Sequence, residues 1–253
     1  MSIKFSPEDT QIDVFSLKSS AVTRAGGDIK SSDELSGVEI RLSKALIKNN
    51  GTPKIFPFPG LAQFYLLIIV MSDLDEGHQS IDLKGFAKVD DGEELPVDRT
   101  IFYFKKTKET QKTPGQIHVW VSVIKSKENL RDVGSILSQI KKDKDYSTLM
   151  SSVKEALTLT NPALQAIDII HGVANIAGKY MGKVQDKAML SWQQSFTDIN
   201  GDLDALGKNS RYKENDKVTL GLSLIVRDKA REEQVLKSQQ NPEIIENLNL
   251  DLE

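Results

Sequence analysis

Residues 61–72 read LAQFYLLIIVMS, and both alternation sets of that stretch are apolar. Leu61, Tyr65, Leu67 and Ile69 fall on one side of an extended chain, and Phe64, Leu66, Ile68 and Val70 on the other. A helix needs about 20 apolar residues to cross a bilayer, and the run from Leu61 to Met71 is only eleven residues long. A strand apolar on both sides must be covered on both faces. The chain is therefore expected to build layers: a partner sheet against one side of this strand, and something other than that sheet against the opposite side, around Leu67.

Other period-2 stretches supply the sheets. Ile12 to Leu17 reads as a first strand, and Val38, Ile40 and Leu42 alternate with Glu39, Arg41 and Ser43 as in a half-buried strand. Ile81 to Val89 follows Leu61 to Ser72 and ends in the turn Asp90-Asp91-Gly92. Ile101 to Phe104 is expected to pair with Ile117 to Ile124 as a hairpin, with Lys105 to Gly115 as its solvated loop. Met189 to Phe196 and Val218 to Val226 complete a count of eight strands.

Between the sixth and seventh strands the period changes. Leu130, Val133, Leu137 and Ile140 are spaced 3, 4 and 3, which is helical, with Ser126 as the expected N-cap. Leu149, Val153 and Leu157 predict a second helix. Asn161-Pro162 predicts the start of a third, with Pro at the first helical position and Ile169, Val173, Ile176 and Tyr180 as its stripe. The expected fold is mostly β with an α insertion: an antiparallel eight-stranded β-sandwich with a helical layer. The expected organisation is one domain over residues 1–230, its helical insertion at about 127–184, and an acidic tail over 231–253. A separate helical subdomain is the alternative.

Element order over Ile12 to Asp228 resembles a C2-type domain, and the segments Asp186 to Phe196 and Lys217 to Asp228 are similar to the C-terminal part of bacterial C2-like proteins. The resemblance implies binding to membranes, often through Ca²⁺, or to proteins, without catalysis. Its calcium-binding members place aspartates on loops at one end of the sandwich. Asp73 and Asp75 on one loop, and Asp198 and Asp202 on another, are the candidate ligands, since Ca²⁺ takes six to eight oxygen donors. If strand direction alternates, those two loops share an end. The competing reading is that they are ordinary Asx turns. Asp198 to Asp204 opens like an EF-hand loop, but Leu203 stands at its glycine position and Asn209 at its terminal glutamate.

Lys105, Lys106, Lys108 and Lys112 form a candidate patch for anionic lipid or a protein partner, with Lys125 and Lys127 expected across the hairpin; the alternative is a solvated loop tip. Nucleic acid is not expected: 33 Lys+Arg against 36 Asp+Glu give a net charge of −3, which leaves no global basic field. There is no cysteine, which removes disulfides, thiolate metal sites and thiol nucleophiles together. The three histidines, His78, His118 and His171, are scattered. Gly201 to Lys208 is one residue too long for a phosphate-binding loop, and Asn209 replaces its Ser or Thr.

These features predict a non-catalytic interaction module, with no resident cofactor unless the acidic loops hold Ca²⁺. Its expected partner is a protein or, second, a membrane surface; its oligomeric state is not readable. Met1 to Asp13 lacks an apolar core, so a cytoplasmic location is expected. From Arg231 to Glu253 six acids oppose two bases. Ile244, Ile245, Leu248 and Leu250 lie there among polar and acidic residues, as in a segment that docks on another chain. The alternatives are a membrane-acting toxin or defence effector, whose block from Leu130 to Val184 detaches and inserts, and a hydrolase with an unrecognised site.

Overall fold

The computed structural model describes residues 3–5, 9–13, 35–57, 60–74, 79–107, 112–126, 130–156, 162–181, 187–198 and 200–228. Two five-stranded sheets face each other. The first runs in the order β1 (Thr10–Asp13), β8 (Lys187–Thr197), β7 (Gln116–Ser126), β3 (Ala62–Ser72) and β4 (Ser80–Val89). In the second, β10 (Val218–Asp228) lies between β9 (Gly207–Glu214) and β2 (Leu35–Ile47). The far edge of β2 is shared by β5 (Glu93–Glu94) and β6 (Arg99–Lys105).

The doubly apolar strand sits where its composition demands. Phe64, Leu66, Ile68 and Val70 of β3 join the core between the sheets. Tyr65, Leu67, Ile69 and Met71 join a second core formed with α1 (Val133–Lys142), α2 (Lys144–Ala156) and α3 (Pro162–Met181). Leu67 is wholly buried.

Three expectations about the strands are corrected. There are ten described strands rather than eight, and the sheets are not wholly antiparallel, because β1 runs parallel to β8. The two unforeseen strands carry no apolar alternation: β5 has two residues, and β9, reading GKNSRYKE, is a polar edge strand, the composition that discourages edge-to-edge association. With β5 counted, the helical layer enters between the seventh and eighth strands. The expected hairpin between Ile101–Phe104 and Ile117–Ile124 does not form. β6 pairs with β2, opposing Phe102 to Ile40 and Phe104 to Val38, so that its two phenylalanines enter the inter-sheet core. β7 is apolar toward both sides, with Val119, Val121 and Val123 in one core and Trp120 in the other. It takes an interior place between β3 and β8.

The first helix is capped by Asp132, whose carboxylate accepts the backbone N–H groups of Gly134 and Ser135, and not by Ser126, which ends β7. The Arg131 guanidinium donates to the carbonyls of Tyr180 and Met181. It thereby closes the C-terminal end of α3, whose last carbonyls have no helical partner. Asp143, between α1 and α2, accepts from Lys179 Nζ at 3.0 Å and Tyr180 Oη at 2.7 Å. These bonds hold its carboxyl down at about 2.

The N-terminal residues contribute a contact that periodicity does not announce. Ile3 and Phe5 are buried in the core beneath the helices. Phe5 stands edge-on to Trp120, ring centroids 5.1 Å apart, and its N–H donates to Asn175 Oδ1 at 2.8 Å. A Cβ at residue 178 would lie 2.2 Å from the Ile3 carbonyl oxygen. Gly178 is what lets this segment press against α3.

Candidate functional site: a solvated sheet face bearing arginine, lysine and tyrosine

The two acidic loops share an end of the first sheet, as strand parity predicts, but the carboxylates of Asp73 and Asp202 are already engaged. Asp73 accepts from the backbone N–H groups of Gly115 and Gln116 and pairs with Lys112 Nζ at 3.0 Å. Asp202 accepts the Thr197 N–H at 2.8 Å and pairs with the Arg211 guanidinium, which also lies over the Phe196 ring. Asp198 is exposed, and its N–H donates to the Gly115 carbonyl at 2.9 Å. Asp75 lies outside the described residues. Thus Asp73 and Asp202 tie loops together and to cations. Among the described residues no group of three or more carboxylate or imidazole side chains is placed to hold a metal ion.

The lysine cluster is divided. Lys112 is held by Asp73, whose carbonyl also accepts from it at 2.9 Å. Lys106 donates its backbone N–H to the Ser36 carbonyl at 2.8 Å. Lys108 lies outside the described residues, as do Lys127 and the tail residues Ile244, Ile245, Leu248 and Leu250. Lys125 stands in the first sheet and donates to Thr52 Oγ1 at 2.7 Å, so it is not across a hairpin from Lys105. Lys105 alone of the described set is exposed on a strand, opposite Gly37 at the end of β6.

A serine–histidine pair is present but enclosed. His118 Nε2 lies 3.1 Å from Gln116 Oε1 and Nδ1 lies 2.8 Å from Ser195 Oγ. The amide oxygen can only accept, so Nε2 carries the proton and Nδ1 accepts from the serine. Burial pushes this imidazole down to about 4, against the opposing pull of Asp73. Both side chains are buried. A cavity of about 360 Å³ opens between the N-terminal segment and β8, but Ser191 is its nearest lining residue on that strand, and neither His118 nor Ser195 lines it. The pair secures β7 to β8.

What remains is the outer face of the second sheet. The helices pack over the first sheet, whereas here polar and charged side chains meet solvent. Register sets the rows. Tyr212, Gly221 and Lys44 form one row; Ser210, Ser223, Arg41 and Thr100 the next; then Lys208, Ile225, Glu39 and Tyr103; and last Arg227, Gly37 and Lys105. Tyr103 is 53% exposed and Tyr212 is 60% exposed. A Cβ on residue 221 would stand 2.8 Å from the Tyr212 ring and 3.0 Å from the Lys44 Cβ. The glycine is therefore what allows the ring to lie along the sheet.

Glu39 organises the centre. It is buried, which by itself would raise its pKa. The Thr100 hydroxyl, Arg227 at 2.7 Å and Arg41 at 3.2 Å more than offset this and hold it below the ordinary carboxylate value. Arg41 also bonds Asp98 at the rim, 3.2 Å away. The face thus carries Arg41, Lys44, Lys105, Lys208 and Arg227 against Glu39, Asp98 and Glu214, with two exposed tyrosine rings on it. Such a surface can bind carboxylates through the cations, and apolar or planar groups through the rings. Of these residues the sequence reading named only Lys105 as a site residue. The alternation Lys208, Ser210, Tyr212, Glu214 is the signal that points to the rest, and it overlaps the segment read as a failed phosphate loop.

No helix among the described residues is long and apolar enough to cross a membrane. No family model matches the chain, and no curated protein matches it.

Proposed function

We propose that this protein is a non-catalytic interaction module that docks an acidic protein segment on the outer face of its second sheet. The observation that supports this most is the pairing of exposed Tyr103 and Tyr212 with five cations on one solvated face. Aromatic rings and arginines are the side chains that most often dominate protein interfaces. A face of this kind gains specificity from charge complementarity and affinity from the rings. The C2-like resemblance in element order agrees with a binding role. A protein partner is favoured over a membrane because the cations stand among Glu39, Asp98 and Glu214 rather than forming an unbroken basic strip.

The test uses fluorescent poly-glutamate, phosphatidylserine vesicles and a single-stranded oligonucleotide as probes of the full chain. The acidic peptide is expected to bind, and to weaken about tenfold or more in Tyr212→Ala combined with Lys208→Glu. Binding should also weaken with salt. Indifference of peptide binding to both substitutions, or a preference for vesicles or oligonucleotide, overturns the reading.

A further inference from the structure

We infer, on the basis of the docking face proposed above, that a second copy of this chain competes for that face. Two copies close their second sheets outer face to outer face as a two-fold dimer, and an outside acidic partner must displace the second copy.

Charge is divided lengthwise along the face. Continuing its rows one step toward β5 brings Glu214, Thr219, Leu46 and Glu94 together. Cross-strand partners share a side of a sheet, and Ala45 and Ile47 belong to the core between the sheets, so this row lies on the outer face. One end of the face thus carries Glu94 and Glu214, and the other carries Lys105 and Arg227. Such a surface complements itself when one copy is reversed. Let the two-fold axis cross the strands at the middle row, where Ser210, Ser223, Arg41 and Thr100 stand. Each strand then meets its own copy running the other way, and the acidic end of each copy lies over the basic end of the other. Isologous two-fold contacts of this kind are the commonest in soluble oligomers.

Shape obeys the same reversal. Half-buried Leu46 comes over Gly37 of the second copy, and half-buried Ile225 comes over Gly221, where the Tyr212 ring supplies an apolar floor. In the middle row Ser210, Ser223 and Thr100 are short, and the two serine hydroxyls are bonded to each other at 2.8 Å. The sheets can therefore approach to the roughly 10 Å of packed layers. Arg41 is already balanced by Glu39 and Asp98, which limits repulsion from its own copy at the axis. Four strands by five rows cover about 20 by 30 Å, or roughly 600 Å² on each copy against the roughly 800 Å² of a standard interface. That area suits a reversible dimer. An outside partner then binds with an affinity reduced by the fraction of molecules whose face is free.

The experiment is sedimentation equilibrium of the full chain over a range of concentrations, with near-ultraviolet circular dichroism to verify that each variant is folded. The expected result is a monomer–dimer equilibrium that high salt and the poly-glutamate probe both shift toward monomer. Lys105→Glu and Glu94→Lys, each at an exposed position, set like charges together and should each weaken the dimer about tenfold. The two substitutions in one chain restore the opposition and should return the dimer to within about threefold of the parent. A dimer indifferent to the single substitutions, or one that the double substitution does not restore, overturns the inference. A chain that stays monomeric while the probe binds in a manner dependent on Lys208 and Tyr212 overturns the dimer and leaves the docking face standing. A chain that neither dimerises nor binds the probe overturns the face itself.

Discussion

The two sheets of this protein solve the same problem in opposite ways. The first has an apolar outer face, with Tyr65, Leu67, Ile69, Ile81, Leu83 and Trp120 beneath three helices. The second has a polar outer face, where Arg41, Glu39 and Arg227 hold one another across two strands, and it needs no cover to be stable. Burial thus decides where structure is committed, and solvation decides where a surface stays open for another molecule. A face already packed against helices must give up apolar contacts to bind anything; a charged face exchanges only water and counterions.

Truncations on the two faces should separate them most widely. Leu67→Ala is expected to cost about 3 kcal/mol, as large-to-small changes in closed cores do. Ile225→Ala, on the solvated face, is expected to cost less than about 1 kcal/mol. Urea unfolding midpoints measure both. Equal losses would mean that the second sheet's outer face is packed as firmly as the first.

Next in size is a pH effect on the covered side. His118 titrates near 4 when folded and near 6.5 when unfolded. Between those values the unfolded chain takes up a proton that the folded chain refuses. Its contribution is full above pH 6.5 and falls away as pH drops toward 4, by at most roughly 3 kcal/mol. Burial lowers His171 too, adding to the same trend. His118→Gln should lose less stability than the parent chain between pH 7 and 4.5. Parallel declines would rule out a buried neutral imidazole at 118.

The comparison also explains what could be read from sequence. Leu61 to Ser72 is legible because apolarity on both sides of a strand admits one environment, and Leu67 lies under helices accordingly. Pro162 opens α3 where Asn161-Pro162 placed a start. Strand partners were less legible. β6 and β7 look like a hairpin by proximity, yet a strand's alternation tells which side is buried, not which neighbour it bonds. The open face was hardest to see. Its residues come from β2, β6, β9 and β10, far apart in the chain, and each alone is an ordinary polar residue on a strand. The parity of the acidic loops was readable from sequence, but the engagement of Asp73 with Lys112 and of Asp202 with Arg211 was not, since both contacts depend on loop shape.

A smaller effect belongs to the one buried charge of the open face. Glu39→Gln keeps the shape and one acceptor but leaves Arg41 and Arg227 without their shared counter-charge. The expected cost is about 1 to 2 kcal/mol, measured by urea midpoint. It should be larger than that of Lys44→Gln, whose loss of charge at a solvated position is expected to cost less than about 0.5 kcal/mol. If the two substitutions cost the same, Glu39 is not the organising centre of the face.

The smallest expected effect tests how the helices are fastened over the first sheet. Asp143 is held down at about 2 by Tyr180 and Lys179, while an unfolded aspartate titrates near 3.9. A depressed carboxyl stabilises the fold above its unfolded value, and that contribution is lost as pH falls through its folded value. The parent chain should therefore weaken between about pH 4 and pH 2 by an amount that Asp143→Asn does not show. Lys179 is 60% exposed, so solvent screens the pair and keeps the difference small. A salt titration supplies the second readout. If the helical layer is fastened through this charge, the advantage of the parent chain over Asp143→Asn at pH 7 should shrink as ionic strength rises. The Leu67→Ala penalty, which comes from lost packing, should be nearly indifferent to it. A helical layer whose Asp143 and Leu67 variants respond alike to salt would have to be held by something other than this division between charge at its margin and apolar contact beneath it.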